Sequence, residues 1–188
     1  MNILVTGGSG SGKSAYAEDL VMGLSGSNRI YIATMLPAGE EGLRRIARHH
    51  SLREGKGFVT VERYTDTGGL AGKEIQKEEH PAVLLECMSN LTANEIFSEN
   101  GAGPSDAFEK IKADILRLSE ETEHLVIVTN EVFSDGVLYE EETVRYQKIL
   151  GEINCFLGQF CDVVIEVVYG IPVILKGGDR LENTVEQL

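Results

Sequence analysis

The sequence predicts an α/β protein with a mostly parallel sheet, helices on both faces and an antiparallel edge hairpin at the C-terminal end. Three observations predict it. Short apolar, β-branched runs recur at 2–7, 29–34, 81–88 and 124–132. Segments of helical spacing stand between them, and alternation of this kind packs as a parallel sheet covered on both sides. Two further apolar runs, DVVIEVVYG (162–170) and IPVILKG (171–177), follow directly on one another and form the hairpin.

Taken in order, NILVTG (2–7) is a buried strand ending in glycine, and KSAYAEDLVMGL (13–24) is a helix ended by GSGSN. RIYIAT (29–34) is the second strand. Residues 39–57 form a helix with Glu early and Arg late, as the macrodipole prefers. FVTVERY (58–64) alternates as a third strand. PAVLLECM (81–88) is a buried strand followed by a helix near 89–99, a loop at 101–105 and a helix over about 106–122. HLVIVTNEV (124–132) is the next strand, and a longer helix follows over roughly 140–161. The tail from 178 is expected to be loosely held.

The 188 residues carry no internal repeat, low-complexity segment or boundary, so 1–188 is expected to form a single domain. A hydrophobic fraction of 42% suffices for a sizeable core. The formal net charge of −13 argues against a duplex nucleic-acid partner, which requires basic patches to displace counterions. No run reaches the ~20 apolar residues of a membrane span, and no secretory signal is visible. Cys87, Cys155 and Cys161 lack C-x-x-C spacing and are expected to be core thiols in a reducing compartment, which places the chain in the cytoplasm.

Residues 7–14, GGSGSGKS, fit G-x-x-x-x-G-K-[ST] through Gly7, Gly12, Lys13 and Ser14. The motif lies directly after a strand and before a helix. There the glycines (Gly7, Gly8, Gly10, Gly12), with Ser9 and Ser11, let backbone N–H groups curl around a phosphate at a helix N-terminus. Lys13 then reaches the β/γ-phosphates and the Ser14 hydroxyl ligates Mg²⁺. A flexible Gly/Ser turn is the bland alternative, disfavoured by the strand–loop–helix context. The metal also calls for an acid at a neighbouring strand end. Glu86, ending AVLLE, is the first candidate and Glu131, ending VIVTNE, the second. The motif identifies a nucleotide site but no acceptor.

A basic cluster follows. Residues 44–56 carry Arg44, Arg45, Arg48, Arg53, Lys56, His49 and His50 in an otherwise acidic chain. On a helix, Arg45, His49 and Arg53 share a face at i, i+4, i+8. A solvated basic face is one reading. Nucleophilic catalysis at phosphorus is the other: neutral imidazole attacks, and flanking guanidinium groups stabilise the phosphoryl charge.

With these pieces in place the chain resembles the bifunctional adenosylcobinamide kinase/adenosylcobinamide-phosphate guanylyltransferase family of cobalamin biosynthesis. The resemblance runs over about residues 1–177 through ILVTGGSGSGKS, YIAT, RIARHHSLR, TVE, LLECMSNLTAN, VIVTNEV and GIPVILKG. It implies a P-loop NTPase-like fold and two reactions. A nucleoside triphosphate (GTP or ATP) phosphorylates the aminopropanol hydroxyl of adenosylcobinamide. A histidine then attacks the α-phosphate of GTP and passes GMP to adenosylcobinamide phosphate. It also implies a homotrimer. The family spacing R-I-x-x-H puts the nucleophile at His49, with His50 the fallback. By the same resemblance Ala33, Thr34, Met35, His50, Ser51, Leu52, Arg53, Glu62 and Glu86 surround the nucleotide, Ser14 and Glu86 hold the metal, and Asn90, Asn94 and Asn130 are polar contacts.

The chain departs from the family pattern at Gly10, where an arginine is usual, at Gln147-Lys148 in place of Arg-Asp, and at FSD (133–135) in place of GMG. A P-loop small-molecule kinase lacking the guanylyl step is therefore the alternative reading, and a nucleotide-binding regulatory module without turnover is a third.

Overall fold

The structure is a computed structural model that describes residues 1–25, 28–37, 39–133, 137 and 139–185; the side chains at 41, 45, 49, 50, 52, 78, 183 and 185 lie outside that description. Seven strands form one sheet: β1 (Asn2–Thr6), β2 (Arg29–Ala33), β3 (Phe58–Glu62), β4 (Ala82–Glu86), β5 (His124–Val128), β6 (Val163–Val168) and β7 (Ile171–Lys176). Their order is β3-β2-β4-β5-β1-β6-β7. The first six run parallel, and β7 is antiparallel to β6, which makes the expected edge hairpin. Among the described residues, six α-helices accompany the sheet: α1 (Lys13–Leu24), α2 (Gly39–Arg53), α3 (Met88–Phe97), α4 (Ala107–Glu120), α5 (Glu141–Phe160) and α6 (Gly178–Val185).

Strand period two explains how one sheet serves two cores. In β1, Ile3 and Val5 face the layer of α1, with Ala17, Val21 and Leu24. Leu4 faces the opposite layer, with Leu91 of α3, Ile111 and Ile115 of α4, and Leu150, Ile153 and Leu157 of α5. The central strands are buried on both faces, so their sequence reads as continuous apolar runs.

Four expectations change. Helix α2 ends at Arg53 rather than 57, because Glu54–Gly57 form a turn with Gly55 and Gly57 at positive φ. Strand β5 ends at Val128, which leaves Glu131 in the following loop and not at a strand end. The tail is not loose as far as Val185. Its helix α6 seats Leu181 in the α1-side core, and Arg180 pairs with Asp162. Cys87 and Cys161 are buried, but Cys155 is exposed on α5 and is no core thiol.

Residues 65–80, which showed no periodicity, hold two short 3-10 turns at Thr67–Leu70 and Lys77–Glu79. Leu70, Ala71 and Ile75 from this segment are buried in the α3–α5 core. Gly68 permits the approach, since a Cβ there would lie 2.5 Å from the Asp114 carboxylate of α4.

Candidate active site

The carboxyl ends of the parallel strands converge on one edge of the sheet, where open α/β sheets bind ligands. Strand β1 delivers the chain into the 7–12 loop, and α1 begins at Lys13 with Gly12 as its N-cap at φ 92°. That left-handed conformation favours glycine. Gly7 has no room for a side chain, because a Cβ would lie 2.5 Å from the Val167 carbonyl oxygen. The Gly170 amide donates to the Ser11 carbonyl at 2.8 Å, so the β6–β7 turn braces the loop from outside.

Lys13 is buried, and its ammonium donates to the Gly8 carbonyl at 3.0 Å, folding back across the loop. Burial lowers its pKa, with Cys87 and Glu86 opposing the shift. The Ser14 hydroxyl donates to Glu86 Oε1. The other oxygen, Oε2, is inaccessible to solvent and has no hydrogen-bond partner among the described residues. Burial pushes the Glu86 carboxyl upward, and the Ser14 hydrogen bond opposes that. Ser14 and Glu86 therefore fit a divalent cation: a serine and one carboxylate lie in contact, and a buried oxygen lacks a donor. Among the described residues no group of three or more His, Cys, Asp or Glu forms a cage. Mg²⁺ needs none, since it is usually held by one or two carboxylates, waters and substrate phosphates.

Beside this pair a small cavity of about 60 Å³ is lined by Tyr31, Ala33, Met35, Ile46, Arg53, Glu62, Glu86, Cys87 and Asn90. Register brings part of this set together: Ala33 of β2 stands opposite Glu62 of β3 and Glu86 of β4. Arg53 is 6% exposed, and its guanidinium lies 3.6 Å from the centroid of the Tyr31 ring. Its Nε and one terminal nitrogen find no partner among the described residues. Arg44 and Arg48 of the same helix are exposed, and Arg44 pairs with Glu40 at 3.2 Å. Lys56 turns to Glu18 at 2.7 Å. The basic cluster thus divides: Arg44 and Arg48 are solvated, and Arg53 enters the cavity.

The side chains of Arg45, His49, His50 and Leu52 lie outside the described residues. Their backbone belongs to α2, and two residues of that helix, Ile46 and Arg53, line the cavity. At 3.6 residues per turn, positions 49 and 50 fall about 50° to either side of the mean direction of 46 and 53. The helix face admits both positions, and only the R-I-x-x-H spacing favours 49.

The remaining candidates separate by how their polar atoms are used. The Thr34 hydroxyl donates to the backbone carbonyls of Glu86 and Cys87 and accepts from the Cys87 amide at 2.8 Å. Asn94 is buried, and its amide donates to the Thr34 and Tyr64 carbonyls at 2.8 and 2.9 Å. It ties the segments after β2 and β3 to α3. Asn130 donates to the Ser89 hydroxyl at 2.6 Å, and Asn90 lines the cavity. Glu62 accepts from the Tyr64 hydroxyl at 2.8 Å, and Ser51 is exposed. Sequence reasoning missed Tyr31 and Ile46. Tyr31 lies mid-strand and Ile46 mid-helix, positions whose apolar character reads as core.

A G-x-x-x-x-G-K-S loop between a central parallel strand and a helix, with its serine bonded to a strand-end carboxylate, defines a P-loop nucleotide-binding protein. The fold agrees: the ATPase from the type III secretion system of pathogenic bacteria superposes with a TM-score of 0.56 at 14% identity, covering 98% of this chain and 61% of that one. The chain belongs to the cobinamide kinase / cobinamide phosphate guanyltransferase family, whose model matches residues 3–175. It is 34% identical to the bifunctional adenosylcobalamin biosynthesis protein CobU of Escherichia coli K12, over 94% of this chain and 100% of that protein. It is 30% identical to the CobU of Salmonella typhimurium LT2 with the same coverage. Pseudomonas aeruginosa CobP is 29% identical, over 94% of this chain and 98% of that protein.

Proposed function

We propose that the protein phosphorylates adenosylcobinamide with a nucleoside triphosphate, then transfers GMP from GTP to adenosylcobinamide phosphate through a guanylyl-histidine at His49. Family membership supports both activities. The Ser14–Glu86 contact beside Lys13 is the observation that carries the phosphoryl chemistry.

In the kinase step, backbone amides of Gly8–Lys13 and the Lys13 ammonium hold the β- and γ-phosphates. Ser14 and Glu86 would hold Mg²⁺, which supplies charge neutralisation between those phosphates. In the guanylyl step, the imidazole lone pair attacks the α-phosphorus of GTP. The α–β bridging P–O bond breaks, and its electron pair leaves with pyrophosphate. The phosphate oxygen of adenosylcobinamide phosphate then attacks the same phosphorus and releases histidine. Arg53, buried with two nitrogens that find no partner among the described residues, is placed to donate to an anionic or carbonyl group in the cavity.

The assembly proposed is a homotrimer in the cytoplasm. Edge strand β7 supports self-association, because Ile171, Val173, Ile174 and Leu175 are all exposed along it. Three free cysteines suit a reducing compartment.

The test supplies cobinamide with γ-labelled ATP or GTP, and separately supplies the protein with α-labelled GTP. Label on corrinoid in the first assay and acid-labile, alkali-stable label on protein in the second are the expected results. Corrinoid label without protein label would reduce the enzyme to a kinase.

A further inference from the structure

A second cleft, of about 540 Å³, opens beside the phosphate loop and shares no lining residue with the Arg53 cavity. Sheet order separates the two, since the cavity lies over β3-β2-β4 and the cleft over β5-β1. The cleft has the volume of a ligand site. Its lining includes Gly8 and Ser9 of the phosphate loop, Glu131 and Val132 after β5, and Tyr139, Thr143 and Tyr146 at and before the start of α5.

Three features orient it. Lys13 contacts the Gly8 carbonyl at 3.0 Å, and a P-loop lysine reaches the β/γ-phosphates, so the terminal phosphate belongs at the Gly8–Ser9 end that walls the cleft. Second, the carboxylates at the end of β4 and in the loop after β5 divide. Glu86 is bonded to Ser14 on the cavity side, whereas Glu131 is exposed on the cleft wall. The Glu131 amide donates to the Gly7 carbonyl at 3.2 Å, and its Oε1 accepts from the Phe133 amide at 2.9 Å, which ties the carboxylate to the phosphate loop. Third, the far wall is braced and largely apolar. The Tyr146 hydroxyl donates to the Ser89 carbonyl at 3.3 Å, and the Gln147 amide donates to the Val132 carbonyl at 3.3 Å.

We propose that this cleft is the acceptor subsite of the kinase reaction, taking a hydroxyl-bearing acceptor with a large apolar body, and that Glu131 is the base for its hydroxyl. The proposal rests on the kinase reading above. The acceptor oxygen attacks the γ-phosphorus from the cleft, the β–γ bridging P–O bond breaks with its electron pair leaving on the nucleoside diphosphate, and the hydroxyl proton passes to the Glu131 carboxylate. In-line displacement needs the attacking oxygen opposite the leaving one, and the cleft opens at the Gly8–Ser9 end of the loop.

Two variants test it, with triphosphate affinity measured on each as a check of the fold. Thr143→Trp fills the cleft and should weaken equilibrium binding of cobinamide to the nucleotide-loaded protein at least 10-fold. Glu131→Gln should bind cobinamide as tightly as the parent protein yet lower kcat of phosphorylation about 100-fold, the usual order for a lost general base. Wild-type cobinamide binding in Thr143→Trp would overturn the subsite. A Glu131→Gln rate within twofold of the parent, or a loss repaired by added Mg²⁺, would overturn the base. If the parent protein binds cobinamide without phosphorylating it, the kinase reading fails, and Thr143→Trp still decides the subsite.

Discussion

The Ser14 hydroxyl donates to Glu86 Oε1, joining the first turn of α1 to the end of β4. This contact converts a loop motif and a strand-end acid, 72 residues apart in sequence, into one candidate metal position. The other carboxylate oxygen, Oε2, is inaccessible to solvent and has no hydrogen-bond partner among the described residues.

Glu86→Gln should therefore lower kinase activity while stabilising the ligand-free fold. Burial raises the Glu86 pKa above its ordinary 4.5, so the charged form costs folding free energy. That cost is absent below the ordinary value and grows as pH rises through the raised one. The variant should match the parent protein in thermal stability near pH 4 and exceed it at pH 8, by about 2–4 °C per kcal/mol removed. Melting curves across that range, without nucleotide, check the sign.

Lys13→Ala should abolish triphosphate-dependent phosphorylation of cobinamide, at least 100-fold, and leave the fold intact. The ammonium is the point charge on the β/γ-phosphates, and among the described residues it donates to the Gly8 carbonyl rather than to a core side chain. Turnover with circular dichroism on the same sample separates lost chemistry from lost structure.

Arg53→Met should trade function for stability. A buried guanidinium with two nitrogens unpaired among the described residues is costly, and methionine keeps much of the packing on Tyr31. The variant should melt no lower than the parent protein yet bind GTP about 10-fold more weakly. Calorimetric titration with GTP gives the affinity.

Most of this architecture was legible because each strand is short, apolar and bounded by turn residues, and because the phosphate loop is a local motif. Residues 65–80 were not legible, since Leu70 and Ile75 are single apolar anchors in a segment with no period. Arg53 looked like one cation among five, and only its stacking on Tyr31 sets it apart from the solvated Arg44 and Arg48. An amide near a strand end more often bonds backbone than ligand, and Asn94 does so, but its two partners, the Thr34 and Tyr64 carbonyls, are long-range and not signalled by sequence. Glu131 reads as a strand end because HLVIVTNEV returns to an apolar residue at Val132 and so extends the strand past it, yet pairing stops at Val128.

Asn94→Asp follows from that geometry. A carboxylate cannot donate to the Thr34 and Tyr64 carbonyls, and a charge would be buried against them. The variant should lose about 2–4 kcal/mol of stability, in the range for a buried polar mismatch. Nucleotide affinity should fall with it, because the clamp positions the segments after β2 and β3. Urea unfolding with and without GTP measures both.

Intact-mass spectrometry after incubation with GTP and Mg²⁺ tests the central claim, a guanylyl-histidine at position 49 of α2. The parent protein should gain one GMP-sized increment. His49→Ala should gain none while still phosphorylating cobinamide, since γ-phosphoryl transfer to a hydroxyl needs no enzyme nucleophile. His50→Ala should keep the increment. An adduct on His49→Ala that disappears in His50→Ala would move the nucleophile by one residue, and an adduct on both would remove the histidines of α2 from the mechanism.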